Sequence, residues 1–236
     1  MSPYENRLNS ENFRRIGLLA EIRPDSLAEV ADLVSSGSTD LAKDLEHAGI
    51  RNLAIYQKAV GDLELVFLYF ETIELDQEKA ILLLKESSAW WSTLEGHLLA
   101  HPRATKENHP WVRCEFMNVI AIESEFDRNK GDRIALVSQL IPEKELWYRT
   151  LHQTNWPGVV DQMRRSNFQN WTTFLIEWGE SLLLFSYVEY VGKDREADES
   201  LMAADPVTQR WWTHTQPCLS PVEGSNDAWS AMERKR

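Results

Sequence analysis

The sequence predicts an α+β fold built from two ferredoxin-like units in tandem. Two observations lead to this prediction: the chain repeats itself with a constant offset, and each copy orders its elements as β-α-β-β-α-β. A chain of 236 residues can hold two small domains of roughly 100–120 residues each. Two such units in tandem can pack sheet against sheet, burying faces that one small unit would leave exposed.

The repeat is clearest between residues 51–71 and residues 169–189. Asn52 matches Asn170, 118 positions later, and the same offset relates four further pairs: Gly61 and Gly179, Phe67 and Phe185, Tyr69 and Tyr187, Glu71 and Glu189. We therefore expect a first ferredoxin-like copy at 13–122, a polar linker at 123–132 and a second copy at 133–236.

Each copy is predicted to begin with a short apolar strand, Ile16–Ile22 in copy one and Ile134–Ile141 in copy two. A helix follows at Pro24 and at Pro142, each of which precedes an acidic residue, because proline and acids favour a helix N-terminus.

Two strands joined by a glycine turn come next in each copy, which indicates a hairpin around Gly61 and Gly179. A second helical region then leads to a pair of adjacent tryptophans. Copy one is expected to end in a strand at Cys114–Ile122, whose counterpart in copy two is shortened.

Composition limits the classes of partner. A net charge of −12 argues against a nucleic-acid surface, which is usually basic. Cys114 and Cys218 are too few for a disulfide framework, the N-terminus has no signal-peptide pattern, and no apolar run reaches the ~18–20 residues of a membrane span. We expect a soluble cytoplasmic protein with no nucleic-acid or membrane partner, arranged as a pseudo-dimer within one chain that can be monomeric.

The copies differ most at residues 148–157, YRTLHQTNWP. Tyr148 and His152 are four residues apart, so both side chains can lie on one helix face, whereas copy one has Val30 and Val34 at these positions. Trp156 and Trp171 likewise align with Ser38 and Leu53 of copy one. Spacing alone is compatible with ordinary core packing, which tolerates such exchanges. The difference between the copies favours a site in copy two.

Copy two carries Y-x-x-x-H-x-x-x-W-P at 148–157, N-W at 170–171, F-x-x-V-E at 185–189 and Q-R-W-W at 209–212. Together these motifs resemble the L-rhamnose mutarotase family, small dimeric α+β-barrel proteins that interconvert sugar anomers. The resemblance covers nearly all of 133–233 and implies that the two copies form a fused dimeric α+β barrel.

The resemblance also implies roles for individual residues. The family's general acid/base histidine falls on His152 and its sugar-contacting tyrosine on Tyr148. Trp171 stands where the family usually has tyrosine, and the sugar-contacting tryptophan pair falls on Trp211 and Trp212. The implied activity is a cofactor-independent isomerase that interconverts the α and β anomers of a pyranose, L-rhamnose or a related sugar.

The chemistry fits these side chains. Ring opening needs a proton at the ring oxygen and the loss of one from the anomeric hydroxyl, and a histidine can give or take a proton near neutrality. Trp156 is a further candidate for the aromatic wall of a sugar site. Glu189 is a candidate to orient His152 or bind a hydroxyl, although Glu71 at the same place in copy one favours a structural role.

Other functions remain open at this stage. A non-catalytic sugar-binding protein, or another activity on the same scaffold such as a cofactor-free oxygenase or a haem-handling protein, would use the same fold. His101 and His109 lie eight residues apart in a proline-bounded loop, a poor metal-site spacing, so we expect no metal. No nucleotide-binding or hydrolase motif is present, so we expect no cofactor.

Overall fold

A computed structural model describes residues 14–36, 45, 49–72, 79, 82, 85–86, 89–101, 110–120 and 131–235. His109 and most of the expected linker at 123–132 lie outside the described residues, as does Ser38. No helix among those described is long and apolar enough to cross a membrane.

The described strands, in chain order, are β1 (Arg14–Ile22), β2 (Ile50–Val60), β3 (Leu63–Thr72), β4 (Leu98–Leu99), β5 (Val112–Arg113), β6 (Glu115–Ile120), β7 (Asp132–Leu140), β8 (Phe168–Trp178), β9 (Ser181–Tyr190), β10 (Leu219–Ser220), β11 (Ser230–Ala231) and β12 (Glu233–Arg234). The α-helices whose full extent the structure describes are α1 (Leu27–Ser36), α2 (Ala89–Gly96), α3 (Glu145–Gln153), α4 (Pro157–Arg165), α5 (Arg195–Ala204) and α6 (Pro206–Thr215). Short 3-10 turns occupy Pro24–Ser26, Pro142–Lys144 and Gln216–Cys218.

The chain divides into two compact units, each with one antiparallel sheet. The N-unit comprises residues 8–114 with 233–236, and its strands lie in the order β12-β2-β3-β1-β4, with β5 also paired to β1. The C-unit contains residues 115–232, and its strands lie in the order β10-β7-β9-β8-β6, with β11 also paired to β7. The long hairpins predicted around the two glycines are β2–β3 and β8–β9, and Gly61 and Gly179 have positive φ angles of 58° and 61°.

The strand expected to close copy one lies in the other sheet. Residues Glu115–Ile120 form β6, which pairs with β8 of the C-unit, from Glu115 opposite Leu175 to Ile120 opposite Trp171. The short last strand β12 in turn pairs with β2 of the N-unit. Each sheet therefore takes one edge strand from the end of the other sequence copy, which covers an edge whose backbone groups would otherwise be open. The compact N-unit therefore takes the chain only as far as residue 114, whereas the end of the first sequence copy at residue 122 stays a prediction.

A β-bulge in β8 explains the asparagine of the second copy. Asn170 has a φ of 49°, and the register between β8 and β9 shifts between Gln169 and Thr172. Asparagine tolerates this left-handed conformation better than most residues. Its Nδ2 donates to the buried carboxylate of Glu189 at 2.9 Å, and the hydroxyl of Tyr187 donates to the same oxygen at 2.9 Å.

The N-unit repeats this arrangement at the equivalent places. Asn52 has a φ of 57°, and its Nδ2 donates to Glu71 at 3.3 Å, while the Tyr69 hydroxyl donates to the same oxygen at 2.8 Å. The repeated Asn, Tyr and Glu therefore stabilise a bulge that both units need. Bulges re-aim the side chains beside them, and in the C-unit the next residue is Trp171.

Candidate active site

Helix α3 carries the predicted histidine and tyrosine. Tyr148 and His152 are only 3% and 8% exposed, whereas Leu146 and Trp147 on the other face are 79% and 51% exposed. Because the pair is one helical turn apart, the two rings contact each other, with 4.2 Å between their centroids.

The hydrogen bonding of His152 defines its tautomer. Its Nδ1 lies 2.8 Å from the backbone carbonyl oxygen of Tyr148. Because a carbonyl oxygen can only accept, Nδ1 carries the hydrogen, and the neutral ring has its lone pair on Nε2. Nε2 has no hydrogen-bond partner in the described part of the chain. Burial lowers the pKa of His152, and the hydrogen bond to the carbonyl opposes this only partly, so the ring is neutral near pH 7.

The hydroxyl of Tyr148 complements this base. Burial raises the pKa of Tyr148, so the hydroxyl stays protonated at neutral pH. It donates to none of the residues that the structure describes. The helix therefore offers one unengaged acceptor and one unengaged hydroxyl, side by side.

A cavity of about 130 Å³ lies in the C-unit against this pair. This is roughly ten times the ~10–15 Å³ that a single water molecule requires. Four tryptophans make up much of its wall beside Tyr148 and His152: Trp171, Trp211, Trp212 and Trp229. Among the residues that the structure describes, none of those lining it is Asp, Glu, Lys or Arg. The described lining is thus aromatic and uncharged, with a neutral imidazole and a protonated phenol at one side.

Five of the seven predicted site residues line this cavity: Tyr148, His152, Trp171, Trp211 and Trp212. Trp229 also lines it and was missed. The repeat pairs Trp229 with Trp111 of copy one, which made it look like a residue of the shared scaffold.

Trp156 lies behind the cavity wall. Its ring contacts Trp211 edge-on at 5.3 Å and His214 at 5.7 Å, and the guanidinium of Arg210 stacks over it at 5.3 Å. Trp156 therefore supports Trp211, whose ring in turn contacts that of His152 at 5.2 Å. It is not among the residues that line the cavity.

Glu189 is also absent from the cavity wall. Its side chain is 1% exposed and accepts hydrogen bonds from Asn170 and Tyr187, as described for the bulge. Glu71 accepts the equivalent hydrogen bonds in the N-unit. The contacts of Glu189 therefore fit a structural role, one of the two roles that the sequence left open.

The two tryptophan pairs differ in their hydrogen bonds. In the N-unit, Trp90 donates its indole hydrogen to a carbonyl oxygen of α1 at 3.0 Å, and Trp91 donates to a carboxylate of its own helix at 2.9 Å. In the C-unit, Trp211 and Trp212 donate to no residue in the described ranges. Only the second pair thus keeps its donors available for a ligand.

The N-unit fills the equivalent region with apolar side chains. Val30, Val34 and Leu53, at the positions of Tyr148, His152 and Trp171, pack with the tryptophan pair into one buried hydrophobic cluster. The two units thus use one scaffold differently, as a packed core in one and as a cavity in the other.

No group of three or more His, Cys, Asp or Glu residues is placed to hold a metal ion within the described part of the chain.

Solved structures define the fold class. The chain is similar to a putative monooxygenase from Fusobacterium nucleatum, with a TM-score of 0.51 and 10% identity over 94% of this chain and 92% of that one. A putative monooxygenase from Lactobacillus acidophilus has the same TM-score, with 8% identity over 94% of each chain. At such identities the likeness shows the fold alone. It confirms the predicted class, an α+β fold with two ferredoxin-like units of the dimeric α+β-barrel type.

Sequence relatives define the family. Residues 133–235 match the family model described as L-rhamnose mutarotase. The L-rhamnose mutarotase of Pectobacterium atrosepticum is 29% identical over 101 residues, which cover 40% of this chain and 92% of that protein. That of Jannaschia sp. is 33% identical over 85 residues, or 35% of this chain and 75% of that protein. The chain belongs to the L-rhamnose mutarotase family, and this supports a sugar mutarotase, an isomerase-type enzyme.

Proposed function

We propose that the C-unit cavity binds a pyranose, L-rhamnose or a related sugar, and interconverts its α and β anomers. One observation carries the proposal. Two residues line one aromatic cavity within the segment that matches the family: His152, whose neutral ring has an unpartnered Nε2 among the described residues, and Tyr148, whose hydroxyl is likewise unpartnered.

His152 acts as the general base in ring opening. Its Nε2 takes the proton of the anomeric hydroxyl while the bond between the anomeric carbon and the ring oxygen breaks, and the imidazolium so formed gives that proton to the ring oxygen. The open-chain aldehyde then turns about its first carbon–carbon bond. Closure on the other face reverses the proton transfers, and the protonated imidazole returns its proton to the anomeric oxygen.

Tyr148 positions the sugar. Its raised pKa makes its hydroxyl a donor of a hydrogen bond to a sugar oxygen at neutral pH, and a poor source of a fully transferred proton. The contact between its ring and that of His152 keeps both groups against the same part of the sugar.

The tryptophans provide flat apolar surfaces for the carbon–hydrogen face of the ring and for an apolar substituent such as a methyl group. Each indole also has one N–H donor for a sugar oxygen. Walls of this kind exclude water, which strengthens the hydrogen bonds made inside the cavity.

The experiment is NMR exchange spectroscopy between the α and β anomers of a panel of L- and D-pyranoses, with the wild type and His152→Ala. We expect faster exchange for at least one sugar with the wild type. We expect a loss of roughly 10²–10⁴-fold in the variant, the usual contribution of a positioned acid/base. Binding of a sugar without faster exchange would instead support a non-catalytic sugar-binding protein.

A matched control is Val34→Ala. Val34 occupies the equivalent position in the N-unit, in the middle of its buried cluster. Its truncation should lower stability and leave the exchange rate of the folded protein unchanged. No acceleration of any sugar by the wild type would contradict the proposal.

A further inference from the structure

Strand β6 belongs by sequence to the first copy and forms an edge of the sheet that holds the cavity. Ile120, its last residue, is paired with Trp171, and both side chains line the cavity. The first sequence copy therefore supplies part of the wall of the site in the second.

Helix α3 is tied to β6 at two points. Arg149, which follows Tyr148, donates to both carboxylate oxygens of Glu115 at 2.7 Å each. Asn155 lies three residues after His152 and donates from Nδ2 to the carbonyl oxygen of Val119 at 2.9 Å.

The second tie includes a bridge between two carboxamides. Nδ2 of Asn118 donates to Oδ1 of Asn155 at 3.1 Å. Because the Val119 carbonyl can only accept, Asn155 must turn its nitrogen toward it and its oxygen toward Asn118. Asn118 must then present its own nitrogen, and its Oδ1 is left buried without a partner in the described part of the chain.

Burying Oδ1 of Asn118 without a hydrogen-bond donor lowers the stability of the fold. Strand pairing gives no reason for an asparagine at this position. The β6–β8 ladder is made by backbone groups, so an apolar residue at position 118 would pair equally well. Asn118 instead makes a contact with Asn155, which follows helix α3, and this contact holds the C-terminal end of the helix in place.

Building on the proposed function, we propose that the Asn118–Asn155 bridge is a positioning device for His152. His152 is the last residue but one of α3, in a turn whose final carbonyls lack helical partners. The bridge holds this turn against β6, so that Nε2 stays at a fixed place relative to Ile120 and Trp171. Asn118 and Asn155 act only through His152 and are positioning residues.

The kinetic test uses Asn155→Ala, Asn118→Ala and the double variant in the full chain, with anomer exchange as the readout. A displacement of about 1 Å can cost up to ~10²-fold, so we expect kcat to fall about tenfold while KM changes by less than about twofold. Since both residues act through one bridge, the double variant should lose no more than either single variant.

Two further variants separate positioning from stability. Asn118→Leu removes the bridge with an apolar side chain of the same branched shape, so it tests the proposal even if an alanine variant folds poorly. Gln57→Ala removes a carboxamide that donates to Glu64 at 3.3 Å in the N-unit, and it should leave kcat unchanged.

A second readout does not depend on activity. In NMR spectra of the imidazole, the Nδ1 hydrogen of His152 should be protected in the wild type by its bond to the Tyr148 carbonyl. In Asn155→Ala it should exchange faster with water, and the pKa of His152 should rise toward its ordinary value as the turn opens.

The two readouts distinguish the two proposals. If the wild type accelerates no sugar but Asn155→Ala changes the His152 signals, the proposed function fails and the positioning role stands. If both kcat and the imidazole signals of the variants match those of the wild type, the positioning role is overturned.

Discussion

At the scale of single residues, the proposed mechanism requires a neutral His152 whose Nδ1 donates to a carbonyl and whose Nε2 is available to the sugar. In copy one the same helix position is Val34, and no other difference between the copies changes the chemistry so directly. The donor and acceptor roles of the two ring nitrogens follow from one contact with a backbone carbonyl, which spacing in the sequence does not reveal.

The pH dependence of exchange tests this protonation state. Because burial lowers the pKa of His152, the base is active above that pKa and lost as the pH falls through it. We expect kcat/KM to rise from acidic pH to a plateau, with its midpoint below the ordinary histidine value of about 6.5. A midpoint above that value would contradict a buried neutral base.

The free energy of unfolding should also decrease toward acidic pH. Between the lowered folded pKa and the ordinary unfolded value, the unfolded chain binds more protons than the native one. Stability contributed by His152 is therefore present above about pH 6.5 and is lost as the pH falls through the folded pKa. Urea unfolding at several pH values should show this dependence, and His152→Val should weaken it.

Tyr148→Phe tests the role of the hydroxyl. The hydroxyl makes no hydrogen bond to the described residues, so its removal should change the free energy of unfolding by less than about 1 kcal/mol. The exchange rate should fall about tenfold because a hydrogen bond to the sugar is lost. Urea unfolding and NMR exchange measure the two effects. A large loss of stability with an unchanged rate would assign the hydroxyl to the core instead.

At the scale of elements, the matched bulges in β2 and β8 offer a paired experiment. Alanine at 170 or 52 would adopt a strained left-handed conformation and would leave a buried glutamate with one donor fewer. We expect each variant to lose roughly 2–4 kcal/mol of stability.

The two variants should differ in activity. Asn170→Ala should also slow exchange, because the bulge aims Trp171 into the cavity, whereas folded Asn52→Ala should exchange sugar at the wild-type rate. Equal rates in folded samples of both variants would show that the bulge does not position Trp171. Urea unfolding gives the stability and NMR exchange the rate.

The sequence predicted individual helices, strands and turns better than it predicted which strands pair with each other. The proline at 142 located the 3-10 turn that leads into α3, which itself begins at Glu145, and the glycines located the two hairpin turns, because these residues restrict the backbone locally. The pairing of β6 with β8 was not predictable in this way, since strand pairing depends on contacts between residues far apart in the chain. The strand that ends the first sequence copy therefore belongs to the sheet of the C-unit, which the repeat alone does not indicate.

The site was predictable to the extent that it differs between the copies. Tyr148, His152 and Trp171 have apolar counterparts in copy one, so the comparison singled them out. Trp229 has a tryptophan counterpart in copy one, so the comparison of the copies did not single it out. Ile120 lines the cavity because β6, which belongs to copy one by sequence, pairs with β8 of the C-unit.

At the scale of the whole molecule, the two units use equivalent positions differently. Positions that surround the cavity in the C-unit are packed with valine and leucine in the N-unit, and the N-unit tryptophans use their donors internally. Both units thus have the bulge and the hairpin, whereas only the C-unit has a tyrosine and a histidine at the two helix positions that are valine in the N-unit.

This division predicts one sugar site per chain. Isothermal titration with the sugar that exchanges fastest should give a stoichiometry of about one, and tryptophan fluorescence should change as the site fills. Trp211→Phe should weaken binding because it removes an indole donor and surface. A stoichiometry of two would mean that the N-unit also binds sugar.

The most direct test of the central claim is the exchange rate between the α and β anomers of L-rhamnose, measured by NMR with the wild type and with His152→Val. This variant gives the second copy the residue that the first copy has at the same position. We predict acceleration by the wild type and a loss of at least about 10²-fold in a folded variant. Equal acceleration by both proteins would show that His152 is not the base.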